Sequence, residues 1–264
     1  MRKMLNKVPE VTLYFWVIKV LSTTVGETGA DNLNSSLNLG LSKTTYVMSA
    51  LLLIALGVQF ATRKYVPPVY WVAVVLISIV GTLITDNLVD NSGVALEVTT
   101  IAFSIALAIT FAVWYRSEGT LSIHTIWTTR REAFYWLAIL FTFALGTAAG
   151  DLAAERFGLG FLTSAFIFGG MIAVVAIAHF RFGLNAVLSF WMAYILTRPL
   201  GASIGDYLSQ PKADGGLGLG TTGASVIFLA TILTLVVYLT ISKRDAPKER
   251  HEHLREPEFE PAPA

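Results

Sequence analysis

The sequence predicts an all-α integral membrane protein with eight transmembrane helices, built from four tandem, parallel two-helix repeats. Three observations carry this. Apolar residues make up 54% of the 264 residues and charged residues only 14%, with a mean hydropathy of +0.63. A soluble domain carries about a quarter charged residues. Eight stretches approach the roughly 20 apolar residues that a bilayer-spanning helix needs, and one helix-pair pattern recurs four times.

In chain order the spans are expected at about 10–30, 44–62, 68–86, 95–115, 132–151, 160–179, 184–206 and 221–242. Pro9 and Pro67–Pro68 stand at or just before helix starts, where proline is tolerated. The transmembrane domain is expected over residues 1–243, with repeats at about 10–65, 66–120, 130–183 and 184–243. From residue 244 to 264 the chain turns charged and Pro-rich, which predicts a disordered cytoplasmic tail. Fourteen of the 19 Lys and Arg residues fall on one side of an eight-span arrangement. The positive-inside rule then places both termini in the cytoplasm, in a bacterial inner (plasma) membrane. Arg2, Lys3 and Lys7 before Val11–Leu21 also fit a signal peptide, but the repeat runs through the would-be cleavage site at Thr28–Ala30.

Net charge is +1, so no bulk field draws nucleic acid or another acidic partner. The chain has no cysteine, which removes disulfides, thiolate metal sites and cysteine nucleophiles together. The glycine run at 215–220 lacks the Lys-Ser/Thr of a phosphate loop. No enzyme and no cofactor are expected. His251 and His253 form an HxH in the tail, too few ligands to define a metal site.

Each repeat opens with an aromatic–Trp pair, places a Gly ten residues after the Trp and an Asp five residues after the Gly. The sets are Trp16, Trp71, Trp136 and Trp191; Gly26, Gly81, Gly146 and Gly201; Asp31, Asp86, Asp151 and Asp206. Four of the six Trp and four of the seven Asp lie in this register. Copies are 55, 65 and 55 residues apart, which suggests two halves of two units each. An even number of spans per unit returns the chain to the same side, so the repeats are parallel. The pattern resembles a bacterial family of membrane proteins described only as carrying a tandem repeat of unknown function. Gly26–Asp31 of the first copy and the Gly150–Asp151 and Gly205–Asp206 pairs carry that resemblance, which covers about residues 10–242. It implies the topology and no activity or substrate.

Counting back from each Asp by fours keeps to one helical sector. The first copy gives Lys19, Thr23, Glu27 and Asp31, all polar; the fourth gives Tyr194, Arg198, Ala202 and Asp206. The middle copies are milder: Val74, Ser78, Thr82, Asp86 and Ile139, Phe143, Thr147, Asp151. A charge at mid-bilayer costs about 2.5–3.5 kcal/mol on insertion scales, so these stripes must face the bundle interior, and the odd-numbered helices should form an inner ring. In a closed ring the first and fourth copies are neighbours, and Glu27 can pair with Arg198, or Lys19 with an acid of another copy. The Asp set reads either as a cation or proton site or as helix-end caps. The Gly and Trp sets read as packing.

The expected function is transport: a channel-like or secondary carrier of a hard cation or a proton-coupled small solute. The pathway residues would be Lys19, Thr23, Glu27, Asp31, Asp86, Asp151, Arg198 and Asp206. Oxygen ligands suit protons and hard cations. The other reading is a membrane scaffold or sensor in which the same charges are structural. The lipid bilayer is the one expected partner besides a small cation or proton.

Overall fold

Polar stripes on long apolar helices have to be hidden from lipid, and this requirement organises the molecule. The structure, a computed structural model, describes residues 5–36 and 40–247. Among them are eight long helices and no strand: α1 (Leu13–Ser36), α2 (Leu41–Ala61), α3 (Pro67–Asp86), α4 (Leu96–Glu118), α5 (Thr129–Asp151), α6 (Phe161–Phe182), α7 (Ala186–Ser209) and α8 (Thr221–Ser242). Seven are long and apolar enough to cross a bilayer. The exception is α1, of similar length, which carries the fully polar stripe from Lys19 to Asp31.

The odd-numbered helices close a ring. α1 packs on α3 and α7, and α5 packs on the same two from the other side. The even-numbered helices lie outside it. In α3, α5 and α7, 56% of the apolar stretch is buried, against 11% in α6. Helices that are apolar all round suit lipid contact on most of their surface.

The packing unit is not the repeat unit. α2 follows α1 in the chain but packs on α3; likewise α4 packs on α5, α6 on α7, and α8 on α1. Hydroxyls at the start of the outer helices make the same step. The Asn87 side-chain amide donates to Thr45 Oγ1 at 2.6 Å, and its counterpart Asn32 donates to Thr222 Oγ1. Ser225 Oγ of α8 donates to Thr28 Oγ1 of α1 at 2.9 Å. Each repeat thus clasps the next, and the last clasps the first.

The repeated glycines set the distance between inner helices. A Cβ added at Gly26 would lie 2.8 Å from Ser78 Cβ, at Gly81 2.7 Å from Phe143 Cβ, at Gly146 2.5 Å from Arg198 Cβ, and at Gly201 2.6 Å from Thr23 Cβ. Each glycine therefore receives the residue three places before the next repeat's glycine. Four equivalent contacts that close on themselves mean four parallel helices in register about a pseudo-fourfold axis. Backbone approach of this kind is what small residues permit in helix packing.

The aromatic–Trp pairs close one end of the ring by the same rule. Ring centroids of Phe15 and Trp71 are 5.7 Å apart, Tyr70 and Trp136 5.5 Å, Tyr135 and Trp191 6.2 Å, and Phe190 and Trp16 5.8 Å. Within each pair the rings meet edge to face at 5.1–5.3 Å. Eight rings therefore form one continuous girdle. Such contacts add about 0.5–1.5 kcal/mol each beyond their buried area.

The N-terminal segment straps this end. The Leu5 amide donates to the Arg63 carbonyl, that of Lys7 to Ile126, and that of Glu10 to Asp245. Lys7 is buried, and its Nζ donates to Glu132 Oε2 at 2.7 Å and to the Phe60 carbonyl at 3.0 Å, while Gln59 Nε2 donates to Glu132 Oε1 at 3.0 Å. Lys7→Met should leave Glu132 buried without a counter-charge, at a cost of about 3–5 kcal/mol. Adding Glu132→Leu should restore most of the loss, as read from thermal unfolding in detergent.

The expected disordered tail starts with placed residues. Asp245 is buried and accepts a hydrogen bond from the Tyr65 hydroxyl. Burial pushes its carboxyl above the ordinary range, partly offset by that bond. Residues 248–264, with the HxH pair, lie outside the described residues.

Candidate functional site

Three helical rises of four residues stack the stripes into four layers along the ring axis. The first layer, next to the aromatic girdle, holds Lys19, Val74, Ile139 and Tyr194. The second holds Thr23, Ser78, Phe143 and Arg198. All eight residues are at most 1% exposed. The axis is filled here by side chains, so the described structure holds no open channel through these layers.

Arg198 occupies the centre. Its second layer position on α7 is fixed by the close approach of its Cβ to Gly146, and Pro199 follows it inside the helix. From there the guanidinium reaches across the axis into the third layer, made of Glu27, Thr82, Thr147 and Ala202. Nη2 donates to Glu27 Oε2 at 2.7 Å, to Thr147 Oγ1 at 2.7 Å and to Thr82 Oγ1, and Nη1 donates to the Thr23 carbonyl at 3.1 Å. One side chain of α7 is thereby bonded to α1, α3 and α5. The pairing with Glu27 follows from ring closure, as the sequence suggested. Thr82 and Thr147 as partners were not singled out from the sequence; their shared register with Glu27 was the available signal.

Lys19 behaves differently. Its Nζ has no hydrogen-bond acceptor among the described residues. It pairs with no acid and instead lies 3.8 Å from the Phe143 ring centroid and 4.1 Å from that of Tyr194. Arg198 also leaves Nε without an acceptor.

The fourth layer is the Asp set. Asp206 is buried, and Asp31, Asp86 and Asp151 are partly exposed. Asp86 and Asp151 end α3 and α5 and stand at the N-cap positions of the π-helical turns Asn87–Asn91 and Leu152–Arg156, without a side-chain cap bond, whereas Asp31 and Asp206 lie within α1 and α7. The four carboxylates form the layer of the ring farthest from the aromatic girdle. Glu27, Asp31 and Asp206 each offer an oxygen, all within 4.8 Å of one another. Oxygen donors at this spacing are the chemistry that Mg²⁺, Mn²⁺ and Ca²⁺ take.

Gly201–Gly205 reads Gly-Ala-Ser-Ile-Gly, the Gly-x-Ser-x-Gly spacing of a hydrolase. A nucleophile elbow needs a strand–turn–helix with an exposed serine. Here the five residues are continuous helix, and Ser203 is buried. Of the remaining sets, Trp71, Trp136 and Trp191 are buried in the girdle and Trp16 is partly buried. The Trp and Gly sets therefore build the frame and hold no part of the polar site.

No curated protein and no solved structure matches the chain. A family model matches it four times, at residues 14–65, 69–120, 134–184 and 189–245, so that most of the chain is covered and each match holds one inner helix and the outer helix that follows it. The chain belongs to the family described as Repeat of Unknown Function (DUF347).

Proposed function

We propose that this multi-pass membrane protein is a carrier for a hard cation, which enters from the Asp end of the ring and is taken by Glu27, Asp31 and Asp206. The observation that carries the reading is the convergence of these three carboxylates within 4.8 Å, at the end of the column away from its packed first and second layers. The Arg198 guanidinium supports it: Glu27, Thr82, Thr147 and the Thr23 carbonyl already surround a resident positive charge with oxygen. A cation arriving at the carboxylates competes with Arg198 for Glu27. A packed first and second layer suits a carrier that opens alternately rather than a standing channel. The basic residues Arg63, Lys64, Arg130, Arg131, Lys243 and Arg244 favour the girdle end, with both termini, as the cytoplasmic side.

Flux of Mn²⁺, Mg²⁺ and Ca²⁺ into liposomes holding the purified protein tests this. Wild type should transport at least one of them, and the folded fraction of Glu27→Gln, although less stable, should insert and lose transport. A second reading, a scaffold in which Arg198 is a structural tie, is favoured by its bonds to three neighbouring helices. Full flux in well-folded Glu27→Gln protein, or no flux in wild type, would move the assignment to that scaffold.

A further inference from the structure

We propose that residues 5–12 are the latch of the girdle end: the cation leaves towards that side only when this strap lifts from its seat. The proposal rests on the carrier reading, which requires the packed end to open, and names the element that has to release.

The first ground is what the strap joins. Residues 5–12 are neither helix nor strand and run straight into α1. The amides of Leu5, Lys7 and Glu10 donate to Arg63 in the α2–α3 link, Ile126 in the α4–α5 link and Asp245 beyond α8. From Lys7 to Glu10 an extended chain spans about 11 Å at most. While both bonds hold, the α4–α5 link and the end of α8 cannot part further than that strand of chain allows. Asp245 also accepts from Tyr65, just before α3, so the same seat gathers the ends of three repeats. In the ring, α5 stands opposite α1, since both pack on α3 and α7. Lys7 Nζ meets Glu132 in the first turn of α5 at 2.7 Å. The segment leading into α1 is thereby fastened to the helix across the ring, and inner helices that part at this end have to break the fastening.

The second ground is how the strap is held. Val8 and Pro9 are its buried apolar residues. Its other fastenings are polar: the three backbone bonds, the Lys7 Nζ bonds to Glu132 and the Phe60 carbonyl, and Glu10 with His124, whose side chains come within 3.6 Å at the surface. A hydrogen bond exchanged for one to water changes the free energy little, whereas a polar group left buried without a partner is costly. Lifting the strap at the aqueous edge hydrates Lys7 and Glu132 together and strands neither. Segments with few buried apolar contacts are the ones that open locally. The glycine contacts between the inner helices are different, because backbones in direct contact give way only when the helices themselves separate.

The test ties the strap down in this cysteine-free, full-length chain. One variant carries Glu10→Cys and His124→Cys, which gives up a surface pair of small energetic weight. A second carries Leu5→Cys and Arg63→Cys, and serves if the first does not fold. Each is joined in detergent by a short bifunctional methanethiosulfonate, returned to liposomes and assayed for Mn²⁺, Mg²⁺ and Ca²⁺ flux beside wild type. Linked protein should lose flux and regain it when dithiothreitol removes the link, and a monofunctional methanethiosulfonate should leave it transporting. Linked protein that transports as fast as its reduced form would overturn the latch and leave the carrier reading standing. If wild type carries none of the three cations, the carrier reading fails first and the latch falls with it.

Discussion

Glu27→Gln is expected to destabilise the protein by about 3–5 kcal/mol, because it leaves the Arg198 guanidinium buried without its counter-charge. Arg198 is fully buried, and Glu27 is its one anionic partner among four hydrogen-bonded oxygens. Arg198→Met should cost a similar amount from the other side, stranding Glu27 beside Asp31 and Asp206. The double variant Glu27→Gln with Arg198→Met should recover most of the loss, since a buried ion pair replaced by uncharged groups is often near neutral. Unfolding of all four proteins in one detergent, treated as a double-mutant cycle, reads the coupling directly. A double variant as unstable as either single one would mean that Arg198 matters through Thr82, Thr147 and the Thr23 carbonyl rather than through Glu27.

The second large effect belongs to the glycine ring. Gly201→Ala should destabilise by about 1–3 kcal/mol, the usual range for overpacking. Its new methyl would lie 2.6 Å from Thr23 Cβ and 3.0 Å from the Thr24 amide nitrogen, so backbone rather than a flexible side-chain end has to give. Gly146→Ala meets Arg198 Cβ in the same way and should also displace the guanidinium from Glu27 and Thr147. Gly57→Ala and Gly29→Ala are the controls. Gly57 has nothing within 4 Å, and at Gly29 the nearest atom is Ile79 Cδ1 at 3.6 Å. In a helix with room for the methyl, Gly→Ala stabilises by about 0.4–1 kcal/mol. The sign of the effect should therefore separate ring glycines from the rest, measured by thermal unfolding. Equal effects at Gly201 and Gly57 would refute the close-packed ring.

Several of these features are legible in the sequence. Composition and length predicted helical spans. The fourfold recurrence of Trp, Gly and Asp predicted parallel units, and the polarity of the Lys19–Asp31 stripe predicted that odd-numbered helices turn inward. Ring closure, with the first repeat beside the fourth, made Glu27 and Arg198 candidates for a pair. These inferences hold because they rest on period and polarity, which act locally along one helix. Helix ends were less legible: α1 runs to Ser36, past the expected end at about residue 30, and α3 and α5 lead into π-helical turns.

The sequence by itself determined the number of helices, their repeat, which faces avoid lipid and which charges must find partners. Tertiary structure alone decided who those partners are. That each outer helix packs on the next repeat's inner helix depends on how short links and paired surfaces close a ring, which no single helix encodes. That Thr82 and Thr147 share Arg198 with Glu27 depends on three helices arriving at one point. Lys7 with Glu132, and Asp245 with Tyr65, are far apart in the chain and carry no motif; only packing brings them into one buried space. The same holds for Lys19. Its register marked it as interior, but that it meets the Phe143 and Tyr194 rings rather than an acid depends on where α5 and α7 stand. A stripe on one helix specifies a direction, whereas a hydrogen bond between helices needs the positions of both.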